Sequence, residues 1–144
     1  MSLRPVALTD GDKTLVVTAL RVIAANYEKG RHHIGAAVRM RDEGVFAGIH
    51  IEARVGRVTL CAEAVALGTA LSAGARDIET VVAVAHPGPH DTATEVRVVS
   101  PCGMCRELIS DFGPEAWVIL SAGASGATKV SVHDLLPAKY TRGE

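Results

Sequence analysis

The sequence predicts an α/β fold, a three-layer sandwich in which helices cover a five-stranded mixed sheet. Three observations point there. Segments of helical periodicity are interleaved with apolar, β-branched runs of strand length along the chain. Hydrophobic residues make up 48% of the 144 positions but aromatics only 3%, so the core must be built from Val, Ala, Leu and Ile, which suits a sheet held between helices. The motif Arg41-Asp42-Glu43-Gly44 separates two apolar runs with hairpin chemistry, so the sheet begins as an antiparallel pair.

Along the chain, Leu15, Ala19, Ile23 and Tyr27 recur at four-residue steps and predict a helix over 14–27, with Asp12 as its N-cap and Gly30 past its end. Strands follow at 34–40 and 45–51. An Ala- and Leu-rich helix is expected from Cys61 to about Ala73, stopped by Gly74, and a β-branched strand over 78–85. The two prolines and the glycine of 86–94 mark an exposed loop, and strand character returns at 96–99. Pro101 stands near the start of a helix over 102–112, which Gly113-Pro114 ends. A strand at 116–120, a flexible turn at 123–127 and a short helix over 132–136, closed by Pro137, complete the reading.

Residues 1–144 are expected to form one catalytic domain, large enough to bury a core without disulfides. Fifteen basic and sixteen acidic residues give a net charge of -1, which supports neither a nucleic-acid nor a membrane-surface partner and favours a small-molecule substrate. No run approaches eighteen apolar residues, and no signal-peptide pattern opens the chain. With an odd number of cysteines, this reads as a cytoplasmic protein with reduced thiols.

Those cysteines carry the chemistry. Cys61-Ala62-Glu63 and Pro101-Cys102-Gly103-Met104-Cys105 hold all three, and each cluster falls where a helix begins. Helix N-termini favour negative charge, which lowers thiol pKa values and readies thiolates for a metal. Three thiolates would leave one of zinc's four positions open, the arrangement of a catalytic rather than a structural ion. Three anionic ligands weaken the acidification of a water in that position, so a base is needed, and Glu63 is the candidate.

A redox Cys-x-x-Cys pair would leave Cys61 and Glu63 without a role. A closed structural site would want a fourth ligand from His50, His86 or His90, none at a finger spacing. A non-catalytic zinc-holding interaction module would have no chemical need of the Glu63 carboxyl.

From Ile34-Gly35-Ala36-Ala37 through Cys61-Ala62-Glu63 and Ser100-Pro101-Cys102-Gly103-Met104-Cys105-Arg106 to Leu135-Leu136-Pro137, the chain resembles the cytidine deaminase family, in its small three-cysteine branch. The resemblance implies that Cys61, Cys102 and Cys105 bind one zinc ion per chain and that Glu63 shuttles protons. It implies conversion of cytidine or deoxycytidine to the uracil form with release of ammonia, as in pyrimidine salvage, by a homotetramer. The Ala62 N–H would bind the pyrimidine carbonyl, the Ser100 carbonyl would accept from the amine, and Tyr140 would stack on the base in a neighbouring subunit.

The sugar side departs from the family pattern. The family's asparagine and glutamate are here His50 and Glu52, its next asparagine is Ala53, its phenylalanine before the first strand is His32, and the arginine that often follows Cys-Ala-Glu is Ala64. The blasticidin S deaminases share the metal chemistry and also lack that arginine, so a modified cytosine nucleoside is the alternative substrate. Arg54 and Arg57 would suit one carrying an anionic group beyond the sugar.

Overall fold

The computed structural model describes residues 2–42, 44–88 and 97–143. Its helices are α1 (Asp10–Asn26), α2 (Ala62–Ser72) and α3 (Gly103–Phe112). Its strands are β1 (Ile34–Met40), β2 (Gly44–Ile49), β3 (Ile78–Ala85), β4 (Arg97–Val99), β5 (Trp117–Ser121) and β6 (Ala127–Ser131). The sheet runs β2-β1-β3-β5-β6, and β4 shares the far edge of β3 with β5. Among the described residues only β3 and β5 pair in parallel, so the sheet is mixed, as expected. The α/β fold stands, with one strand more than the five predicted: β6 follows the segment read as a flexible turn at 123–127 and shares only Ala127 with it.

Period-two alternation divides the strands between two cores. Ala36, Val38, Val81, Ala83, Val118 and Leu120 face α2 and α3, while Ala37, Val82, Val84 and Ile119 face α1. One helix therefore covers one face and two cover the other. The sparse aromatics are explained by how closely the layers approach. Gly35 lies against the Ala19 carbonyl of α1, where a Cβ would collide, and a Cβ at Gly48 would stand 2.6 Å from the Ala66 backbone nitrogen of α2.

Two local readings are corrected. Thr9, not Asp12, caps α1: its hydroxyl accepts from the Asp12 N–H, and the Asp12 carboxylate accepts from the Thr9 N–H. Freed from capping alone, Asp12 is fully buried and binds Arg39 of β1 and Lys129 of β6, each at 2.7 Å. That partnership also accounts for the unexpected strand. Lys129 lies inside β6 because its ammonium reaches Asp12 and sits 5.5 Å from the Trp117 ring centroid. Of the loop expected over 86–94, residues 89–94 lie outside the described residues.

Candidate active site

Cys61 and Cys102 are the N-cap residues of α2 and α3, each with extended backbone. The loop before Cys61 is closed by reciprocal backbone hydrogen bonds between Ile51 and Leu60, at 2.9 and 3.1 Å, and by the Thr59 hydroxyl, which accepts from the Ala53 N–H. Before Cys102, the Arg106 side chain donates to the Pro101 carbonyl at 3.0 Å. Two helices from different parts of the chain thus aim their N-termini at one point.

There the three thiols meet. Their sulfurs all lie within 4.8 Å of one another, with Cys61 Sγ 3.6 Å from Cys102 Sγ. This is too long for a disulfide, whereas ligands about 2.3 Å from a tetrahedral zinc stand about 3.8 Å apart. The donor set therefore fits the ion. Burial, then the Cys102 thiol, pushes the Cys61 pKa up, and burial followed by Glu63 and Cys61 pushes Cys105 far up. Burial acts the same way on Cys102, but N–H groups of Cys105 and Met104 and the Cys61 thiol bring it below its ordinary value. Such crowded thiols resist ionising together until a divalent cation offsets their charge. Among the described residues no histidine joins the cluster: His50 and His86 stand apart from it, and His90 lies outside the described residues.

A cleft of about 280 Å³ opens above the thiols. Glu63 lines it at 6% exposure, and burial raises its carboxyl pKa against the opposing effect of its own N–H and Cys105. Ile34, Leu60 and Val99 give the cleft apolar walls, while Ala62, Ser100 and His50 add the backbone and side-chain groups expected to meet a substrate. Glu52 stands beside His50, with 3.5 Å between carboxylate and Nε2, and its side chain is half exposed.

Other candidates are not brought to this cleft. Tyr140 is 76% exposed and lies by a separate groove with Glu107 and Asp111. The preceding Lys139 ties that segment to α3 through ion pairs to both acids. Arg54 and Arg57 are exposed in the loop that Ile51 and Leu60 close. Sequence reasoning missed Thr59, which lines the cleft and braces the loop and which no spacing or periodicity marks; Arg106, the last residue of the motif that begins at Ser100, braces the Pro101-Cys102 turn.

Residues 9–121 match the family model described as the cytidine and deoxycytidylate deaminase zinc-binding region. The chain belongs to the cytidine deaminase family. It is 45% identical over 135 residues to a blasticidin-S deaminase of Bacillus cereus, covering 94% of this chain and 96% of that one. To a cytidine deaminase of Halalkalibacterium halodurans it is 35% identical over 112 residues, covering 77% and 79%. The crystal structure of a cytidine deaminase from Burkholderia pseudomallei superposes with a TM-score of 0.70 at 27% identity, over 92% of this chain and all of that one. The zinc-binding deaminase domain of this family thus contains, in this member, a Cys61, Cys102 and Cys105 cluster able to hold the ion.

Proposed function

We propose that this deaminase removes the exocyclic amine of a cytosine nucleoside by hydrolysis, consuming one water and releasing ammonia. The observation that carries the reading is a buried carboxyl, Glu63, in the same cleft as a three-thiol metal cluster. Zinc held by Cys61, Cys102 and Cys105 supplies Lewis acidity. Glu63 takes a proton from the attacking water and delivers it to the ring nitrogen so that the adjacent carbon becomes electrophilic, then takes the second proton from the added hydroxyl as the carbonyl forms and gives it to the amine, which leaves as ammonia. The Ala62 N–H holds the pyrimidine carbonyl, and the Ser100 carbonyl accepts from the amine. The cleft is small, near the lower end of the range for ligand sites, which suits a single nucleoside.

Blasticidin S is the substrate we put first. The 45% relative bears that name over nearly the full length of both chains, and His50, which lines the cleft, alters the sugar side while the cytosine side is unchanged. Cytidine and deoxycytidine are the second reading, favoured by the cytidine deaminases at 35% identity and in the superposed structure. The active assembly is a homotetramer in which Tyr140, exposed and outside its own cleft, completes a neighbour's. An active monomer by light scattering would refute that assembly.

The test is ammonia release by zinc-loaded protein from blasticidin S, cytidine, deoxycytidine and cytosine. Turnover of a nucleoside, absent in Glu63→Gln, is the expected result. Zinc-loaded protein inert toward every nucleoside, or a Glu63→Gln variant with normal kcat, would overturn the reading.

A further inference from the structure

Four of the six histidines gather with Tyr27 beside the cleft, and the deamination chemistry uses none of their ring nitrogens directly. The His33 and His50 rings stack at 5.2 Å, His32 meets His50 at 6.3 Å, and Tyr27 stands between His33 at 5.9 Å and His86 at 4.2 Å. Backbone groups decide where the protons of this cluster sit. His50 Nδ1 faces two N–H donors, from His33 at 2.7 Å and Ile34 at 3.1 Å, so it must accept and its proton must be on Nε2. His32 Nδ1 lies 2.9 Å from the His50 carbonyl, which only accepts, so there the proton is on Nδ1. His33 Nε2 accepts from the Gly30 N–H at 3.1 Å.

The consequence is a ring with one end used up and the other aimed. Its Nδ1 is consumed where the chain enters β1, beside Ile34, itself a cleft wall. Its Nε2 lies 3.5 Å from a Glu52 carboxylate oxygen, and the Glu52 side chain is half exposed where that of His50 is 11% exposed. The Glu52 N–H in turn donates to the Arg31 carbonyl, so the backbone on both sides of the pair is anchored to the segment before β1.

We propose that His50 is a positioning residue: its ring brackets the entry of β1 to Glu52 and, through Nε2–H, orients the Glu52 carboxylate beside the cleft that His50 itself lines, at the position the family pattern gives to the sugar. The part concerning substrate rests on the nucleoside reading above; the bracket itself does not. A second residue type at this position can keep one end of the bracket but not both. Asparagine places an oxygen near the Nδ1 position and stops short of Glu52. Glutamine reaches the Nε2 position and offers no acceptor at Nδ1.

The test separates the two ends in zinc-loaded protein, using whichever of blasticidin S and cytidine the wild type turns over. His50→Asn should retain Tm and raise KM about tenfold while kcat stays within about threefold, the scale of one lost hydrogen bond to a charged group. His50→Gln should lower Tm, because two part-buried N–H groups lose their acceptor. In a Glu52→Ala background His50→Asn should leave KM unchanged; a full tenfold effect there would overturn action through Glu52. Nitrogen-15 NMR of histidine-labelled wild type, with His50 assigned by its loss in His50→Asn, should find its Nδ1 bare and its Nε2 protonated. Glu52→Gln should shift the Nε2 proton resonance and leave Nδ1 unchanged. A proton on Nδ1, or an Nε2 resonance indifferent to Glu52→Gln, would overturn the bracket. These spectra need no turnover, so inert wild-type protein with the expected spectra counts against the nucleoside reading alone.

Discussion

The thiols of Cys102 and Cys105 sit three positions apart yet are driven in opposite directions, one down and one up. The difference is backbone: Cys102, at the N-cap, collects N–H groups from Met104 and Cys105, whereas Cys105, inside the first turn, is buried against other anions. At Ala64 the arginine of the related pattern is absent. The cysteines and Glu63 could be read from the sequence because their chemistry demands fixed residue types at fixed spacing. Arg106 could not, because its contact is to the carbonyl of Pro101 and any neighbouring donor would look the same in a sequence. For Glu63 the expectation is sharp. Glu63→Gln should keep one zinc per chain by metal analysis and lower kcat by about 10² to 10⁴.

Among the elements, β1, β3 and α2 were legible to within a residue or so, since each combines a clear period with a clear stop. The strand β6 was not, because its Gly-rich approach reads as a turn and its central Lys129 argues against burial until Asp12 is found opposite. The start of α1 was misplaced for a related reason: Asp12 has the chemistry of a cap and is spent on a network. Close approach of α2 to β2 is the element-level feature on which the metal site depends. Gly48→Ala would press a methyl group against the Ala66 nitrogen, in the helix whose N-cap is Cys61. Overpacking of this kind costs about 1 to 3 kcal/mol. The expected outcome is a lower Tm together with weaker zinc retention in a chelator competition; unchanged zinc affinity would show that α2 yields without moving its N-terminus.

Across the whole molecule, Asp12, Arg39, Glu79 and Lys129 join α1 to β1, β3 and β6 on the side of the sheet covered by α1. Burial raises the Asp12 pKa, but hydrogen bonds from Lys129, Thr9 and Arg39 outweigh it and hold the carboxyl far below its ordinary value. A group with a depressed folded-state pKa contributes stability that is full above its unfolded pKa of about 3.9 and is lost as pH falls toward the folded value. Asp12→Asn should therefore cost about 3 to 5 kcal/mol at pH 7, by leaving the buried Lys129 without its partner and Arg39 with Glu79 alone. The gap to wild type should narrow as pH drops below about 4. A gap that stayed constant through that window, by denaturant melts at each pH, would assign the loss to packing.

The cysteine cluster also has a meaning in time. Cys61 and Cys102 are 41 positions apart, and gathering the ends of such a loop costs the unfolded chain about 3 kcal/mol in entropy. The ion can be captured by all three sulfurs only after α2 and α3 have docked, so it acts as a late, removable crosslink. Zinc added to a refolding chain should leave the folding rate nearly unchanged and slow unfolding severalfold. Stopped-flow traces with and without a chelator would reveal a folding rate that rises with zinc if the metal instead recruits the helices early.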